Sequence, residues 1–307
     1  MIKIAIIGSG AWALALTKIL TNVKIVIKAR KLNGLKKKFN DKTKKISITT
    51  NFKDLNDCKF LFLANPSQTV RENLIKIPKK IDSKFIICCK GVEKGSNKLM
   101  HQVLQDLFPK NGYAILSGPN FASEVIKGLP TASVLSSKSN KILNEISSII
   151  SHKKFRTYFN NDIVGTQIGG AMKNVIAIAS GVIKGSNLGH NAGAALITRG
   201  LSEIIDLGIQ MGAKKSTFYG LSGIGDLTLT CSSLKSRNTK LGFLLAKGKS
   251  KTNQLFEGKE SCESICKLGK KFSLELPICN AVKKILNGSD INKIVTDLLS
   301  RPLQFEK

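Results

Sequence analysis

The stretch 169–178, Gly-Gly-Ala-Met-Lys-Asn-Val-Ile-Ala-Ile, sets one lysine in apolar surroundings. Lys173 is the only charged residue between Ile163 and Ile183. The small and apolar residues around it serve several faces of a helix at once, which predicts a buried helix. Burial disfavours the ammonium form and lowers the pKa of such a lysine, by up to ~3–5 units when burial is complete. A lysine brought toward neutrality can give or take a proton, as a general acid/base must. Gly169 and Gly170, a turn or less earlier, admit a second backbone or a ligand at close range. The competing reading is a snorkelling lysine with only its stem buried.

Two further charges stand out downstream. Leu221-Ser222-Gly223-Ile224-Gly225-Asp226-Leu227 places a carboxylate in an apolar, glycine-rich segment. Asp226 there either steadies Lys173, holds a substrate hydroxyl, or caps a helix. Arg237, in Ser236-Arg237-Asn238, offers the planar fork that suits phosphate, or is a solvated charge.

At the other end of the chain, the apolar run Lys3–Ile7 leads into Gly8-Ser9-Gly10-Ala11-Trp12-Ala13 and then a helical stretch, Leu14–Leu20. Strand, glycine turn and helix in this order form the dinucleotide-binding pattern G-x-G-x-x-A. Gly8 permits the tight turn, Gly10 lets the backbone approach a pyrophosphate, and Ala13 lets the helix pack on the strand. Free N–H groups at the helix start would hold the phosphates. This use of the apolar opening is preferred over a secretion leader. About 20 residues after the first glycine, a carboxylate usually holds the adenosine ribose hydroxyls. Here that place carries Lys28-Ala29-Arg30-Lys31. Arg30 suits a 2′-phosphate, so NADPH is expected in preference to NADH.

The elements that position these groups change character part-way along. Strand-like runs at 46–50, 60–64, 85–89, 113–116 and 132–136 alternate with helix-like runs at 69–77, 97–108 and 140–150. Such alternation predicts a largely parallel sheet with right-handed crossovers, whose ligands bind beyond the carboxyl ends of the strands. After about Asp162 only helical stretches follow: 163–183, 192–211, 235–246, 259–271, 277–286 and 291–300. The expected fold is therefore α/β, a Rossmann-type doubly wound domain (1–162) that binds a dinucleotide. An all-helical substrate and catalytic domain (163–307) follows.

Composition narrows the function classes. The chain has 307 residues, 42% of them hydrophobic, and a formal net charge of +29. That is enough apolar material for true cores and excludes a disordered chain. The lysines are scattered and not interleaved with aromatics as in a single-strand binder, so no nucleic-acid function is expected. Seven cysteines without a C-x-x-C, and three histidines far apart, fit reduced thiols in a cytoplasmic protein without a metal site. No run of 18 apolar residues predicts a membrane span.

Taken together, the motifs resemble the bacterial NAD(P)-dependent glycerol-3-phosphate dehydrogenase family, nearly end to end. The parts that carry the resemblance are the glycine turn, Pro66-Ser67-Gln68, Lys90-Gly91, Ser117-Gly118-Pro119-x-Phe121-Ala122 and Met172-Lys173-Asn174-Val175-Ile176-Ala177. Further along they are Asn191-Ala192, Leu196-Ile197-Thr198-Arg199-Gly200, Gly223-x-Gly225-Asp226-Leu227 with Thr230-Cys231, and Ser236-Arg237-Asn238. The resemblance implies reduction of dihydroxyacetone phosphate to glycerol 3-phosphate, a precursor of glycerophospholipids. It makes Lys173 the acid/base at the C2 oxygen. Lys90 would contact cofactor and substrate. Gly118, Asn120, Asp226, Ser236, Arg237 and Asn238 would line the substrate site, Arg237 also near the cofactor. Ala11, Trp12, Arg30, Ala122, Leu255 and Glu257 fall at positions used for NADPH. The expected assembly is a homodimer. Departures are Ala11 for a frequent Ser, Ala13 for the third glycine, Cys89 for a usual Thr, and Asn120 for Ser or Thr. A second reductase with a helix-borne lysine, of the ketopantoate-reductase kind, is the alternative.

Overall fold

The computed structural model describes residues 1–41, 44–249 and 255–300. The chain falls into two compact units, residues 1–89 with 99–163, and residues 90–98 with 164 onward. The segment 90–98, expected in the first domain, packs with the second unit. Residues 301–307 of the expected second domain lie outside the described residues.

Among the described residues of the first unit there are eight strands: β1 (Ile2–Ile7), β2 (Val23–Lys28), β3 (Ile46–Thr49), β4 (Phe60–Leu63), β5 (Lys84–Ile87), β6 (Tyr113–Ser117), β7 (Thr131–Ser136) and β8 (Phe155–Asn160). The helices between them are α1 (Ala11–Ile19), α2 (Leu35–Lys38), α3 (Val70–Ile75), α4 (Met100–Leu107), α5 (Ala122–Ile126) and α6 (Asn140–Ile150). The strands form one sheet in the order β3-β2-β1-β4-β5-β6-β7-β8. All neighbours run parallel except β6 and β7. Order 3-2-1-4-5-6 is that of the dinucleotide-binding fold, with the switch point between β1 and β4.

Strand alternation sends successive side chains to opposite faces, so each interior strand feeds two cores. Ile4, Ile6, Ile25, Ile27, Phe60 and Phe62 pack with α1 and α6 on one face. Ala5, Ile7, Val26, Leu61 and Leu63 pack with α3 and α4 on the other. This is the doubly wound arrangement. The strand missed by the sequence reading is β8. It is an edge strand in which only Phe155 is buried, while Tyr158 and Phe159 are about half exposed, so it lacks the continuous apolar run of its neighbours.

The second unit is helical: α7 (Ile163–Gly185), α8 (Gly189–Gln210), α9 (Lys215–Phe218), α10 (Asp226–Ser232), α11 (Arg237–Ala246), α12 (Glu257–Lys271), α13 (Pro277–Leu286) and α14 (Ile291–Leu299). α7 is buried along most of its length, as expected of a helix apolar on all faces. Its neighbour α11 comes very close. A Cβ on Gly242 would stand 1.9 Å from the Ile178 carbonyl oxygen, so only glycine fits that crossing. α10 was not expected as a helix. A π-type turn over Leu221–Gly225, with Gly223 at φ −104° and ψ −105°, redirects the chain into it. Gly223, within the glycine-rich segment, provides the kink. Glu203 of α8 is buried and accepts the Ile278 and Cys279 N–H groups at 2.6 and 3.2 Å, which satisfies the start of α13.

Candidate active site

In the second unit Lys173 lies near the middle of α7 and is 7% exposed. Its ammonium donates to Asp226 Oδ1 at 2.6 Å and to Thr230 Oγ1 at 2.7 Å. Asp226 and Thr230 sit one turn apart at the start of α10, so one helical face presents both acceptors. The Thr230 hydroxyl donates to the Asp226 carbonyl oxygen at 2.6 Å, which leaves its lone pairs turned to the ammonium. The second carboxylate oxygen of Asp226 takes Lys90 Nζ at 2.6 Å. One carboxylate, itself 1% exposed, thus holds two ammonium groups. Burial pushes the Lys173 pKa down to about 8; the Asp226 carboxylate works against that fall and the Lys90 charge adds to it. The snorkelling reading of Lys173 is excluded by this geometry. Asp226 is the first residue of α10 and pairs with Lys173.

Lys90 reaches this place because the segment 90–98 is tied to α7 and α12. Asn174 Nδ2 donates to the Lys90 carbonyl oxygen at 3.1 Å and to that of Gly170 at 3.2 Å. Asn238 Nδ2 donates to Asn174 Oδ1 at 3.0 Å, and the Gly258 N–H donates to Asn238 Oδ1 at 3.1 Å. Two carbonyls at one end and an N–H at the other permit only one orientation of both amides. Ser261 accepts the Val92 N–H at 3.1 Å, and Ser264 donates to the Glu93 carbonyl oxygen at 3.0 Å. Asn174, Thr230, Gly258, Ser261 and Ser264 were not singled out as site residues. The signals were Asn174 beside the lysine and Thr230 four residues after the aspartate; the α12 partners gave none.

The other expected residues of this unit fall around α11 and α12. Ser236 caps α11, accepting the Thr239 N–H at 3.3 Å. Arg237 is the first residue of that helix and is exposed. Leu255 is 39% exposed, and Glu257 opens α12.

In the first unit the β1–α1 turn has the form a dinucleotide needs. Gly8 has φ +121°, and a Cβ there would stand 2.8 Å from the Ala64 carbonyl oxygen. Gly10 precedes α1 without a side-chain cap, and a Cβ there would meet nothing within 4 Å. The helix start therefore keeps open N–H groups beside a backbone that a phosphate can approach. Ala11 is exposed; Trp12 is half-buried against the same core as Ala122. Arg30 is exposed, two residues after β2. Gly118 follows β6 with φ +117°, its Cβ position 3.2 Å from Ser133 Cα. Asn120 Oδ1 accepts from Ser133 Oγ at 3.0 Å.

Comparison with known proteins follows this division. The profile of the NAD-dependent glycerol-3-phosphate dehydrogenase N-terminus matches residues 3–143, and that of the C-terminus matches residues 162–296. The chain belongs to the NAD-dependent glycerol-3-phosphate dehydrogenase family. It is 36% identical to the glycerol-3-phosphate dehydrogenase (NAD(P)+) of Parvibaculum lavamentivorans, over 99% of this chain and 98% of the relative. The crystal structure of glycerol-3-phosphate dehydrogenase from Coxiella burnetii superposes with a TM-score of 0.88 at 31% identity, covering 97% of this chain and 99% of that one. A probable 2-dehydropantoate 2-reductase from Bacillus subtilis shares the fold alone, at 13% identity and a TM-score of 0.61 over 92% of this chain and all of that one. The chain is thus an NAD(P)-dependent oxidoreductase of the glycerol-3-phosphate dehydrogenase family, and the ketopantoate-reductase alternative falls away.

Proposed function

We propose that the protein reduces dihydroxyacetone phosphate to sn-glycerol 3-phosphate with NADPH, Lys173 supplying the proton. The observation that carries this reading is the Lys173–Asp226–Lys90 cluster. An ammonium has three donors. Asp226 and Thr230 take two of those on Lys173, and the third remains for a substrate oxygen. A group that titrates near 8 is matched to proton transfer at neutral pH. As the C2 oxygen gains charge, Lys173 gives it a proton. Lys90, on the same carboxylate, keeps a positive charge beside the developing alkoxide. The cluster stays held through Asp226 when Lys173 becomes neutral.

Gly8, Gly10, Ala11, Trp12 and Arg30, with Ala122, would hold the cofactor in the first unit; Lys90, Arg237, Leu255 and Glu257 are the contacts proposed for it in the second. When bound, the nicotinamide supplies the hydride. Gly118 and Asn120 of the first unit and Ser236, Arg237 and Asn238 of the second are the further residues proposed to contact the substrate, with Arg237 as the phosphate clamp. The amide of Asn238 is largely committed to Asn174 and Gly258, so its contribution is one remaining N–H. The product would feed glycerophospholipid synthesis in the cytoplasm, and the working assembly would be a homodimer. No described helix is long and apolar enough to cross a membrane.

The test is oxidation of NADPH and NADH by the purified protein, with dihydroxyacetone phosphate or ketopantoate as substrate. Oxidation with the first substrate and NADPH preferred is expected. Equal use of NADH would discard the role of Arg30, and turnover of ketopantoate alone would overturn the substrate.

A further inference from the structure

Lys28 ends β2 and is 6% exposed, yet neither the glycine turn nor the Lys173 cluster uses it. Its ammonium donates to the Ala29 carbonyl oxygen at 3.1 Å and lies 4.0 Å above the centre of the Phe52 ring. Among the described residues no carboxylate pairs with it. Burial, and then the charge of Lys76, lower its pKa. Glu72, which Lys76 and more weakly Arg30 hold below the usual carboxylate range, places those two cations in the same neighbourhood. Here, then, is a largely covered ammonium whose own contacts are a ring and one carbonyl; the carboxylate of that neighbourhood, Glu72, is paired with Lys76.

Packing does not account for this. An unpaired buried charge costs more than a neutral side chain of the same length would. Methionine would fill the space under Phe52 without that cost. The charge is explained if an anion arrives from outside. The carboxyl end of β2 is where ligands approach an open α/β sheet, and the exposed Arg30 stands two residues on.

We propose that Lys28, together with Arg30, binds the 2′-phosphate of NADPH and so sets the preference for NADPH over NADH. This rests on the cofactor reading given above. A phosphate between an ammonium and a guanidinium gains charge-assisted hydrogen bonds, and Lys28 gains the anion it lacks.

The experiment compares Lys28→Met and Arg30→Ala with the wild-type protein. The readouts are the ratio of kcat/KM for NADPH over NADH, binding of 2′,5′-ADP against 5′-AMP, and Tm without cofactor. In Lys28→Met the ratio should fall about 10–100-fold, the size of one lost charge-assisted bond. Binding of 2′,5′-ADP should weaken relative to 5′-AMP, and Tm should match or exceed that of the wild type. A purely structural lysine would give a lower Tm and an unchanged ratio, which overturns the proposal. Lys28→Gln, which keeps a polar head for Ala29, makes the same test if the methionine variant does not fold. If the wild type uses both cofactors alike, the cofactor reading itself fails. If it prefers NADPH and only Arg30→Ala removes the preference, Lys28 alone is refuted.

Discussion

Lys28 and Lys173 show almost equally little surface, at 6% and 7% exposure, although Lys173 lies deeper and burial lowers its pKa further, to about 8. They differ in what answers the charge. Lys173 has Asp226 and Thr230 fixed on one helix, and Lys90 across the same carboxylate. Lys28 has an aromatic face and a carbonyl. A charge compensated within the fold gives a permanent group whose proton affinity is set by its neighbours. A charge met only by a ring face and a carbonyl is ready for a ligand and adds little stability until the ligand comes. Substitutions should therefore act in opposite ways at the two sites, on chemistry and stability at one and on selectivity at the other.

The largest effect belongs to Lys173→Ala. Removing the proton donor should lower kcat about 10²–10⁴-fold in both directions of the reaction, with circular dichroism showing a folded protein. Near-normal turnover would end the catalytic assignment. Asp226→Asn should come next, because it leaves two ammonium groups without their shared carboxylate. Breaking a buried pair from one side costs about 3–5 kcal/mol, readable by urea unfolding. Lys28→Met should show no such loss, and an equal fall in both would erase the contrast.

The titration of Lys173 gives the sign of the pH response. Its folded pKa of about 8 lies below the ordinary lysine value of 10.5. Reduction needs the protonated form, so its rate should fall as pH rises through about 8. Oxidation of glycerol 3-phosphate needs the neutral form and should rise over the same range. For stability, the fold disfavours the charged form. The cost from this group is full below about 8 and is relieved as pH climbs toward 10.5, where the unfolded chain also loses the proton. In Asp226→Asn the pKa should fall further, moving the reduction profile to lower pH; an unmoved profile would mean that Asp226 does not set it.

How much of this was legible in the sequence follows the same contrast. The Lys173 helix could be read because one charge in 21 apolar or neutral positions, 163–183, is a strong signal. The glycine turn could be read because Gly8 and Gly10 have backbone duties that few other residues perform. The edge strand β8 could not, since solvent faces it and its residues carry little apolar pattern. Nor could the placement of 90–98, because its hydrogen bonds with Asn174, Ser261 and Ser264 join residues 84 to 171 positions apart. Lys28 was visible as a residue but not as a buried one. Nothing in Lys28-Ala29-Arg30-Lys31 sets it apart from its exposed neighbour Arg30, and the Phe52 contact that covers it comes from the chain beyond β3.

The smallest expected effect separates the two regions without a mutation. The net charge of +29 should steer anionic ligands toward the protein. Salt at about 0.1–0.15 M screens exposed charges beyond roughly 8–10 Å but reaches buried pairs far less. Added salt should therefore lower kcat/KM while kcat, which depends on the buried Lys173 cluster, changes little. The decline should be steeper with NADPH than with NADH, because only NADPH carries the extra phosphate that Lys28 and Arg30 receive. Parallel declines would mean that the whole field steers both cofactors and that the β2 end contributes no separate attraction. A fall in kcat itself would mean that salt reaches the cluster, against the 1% exposure of Asp226.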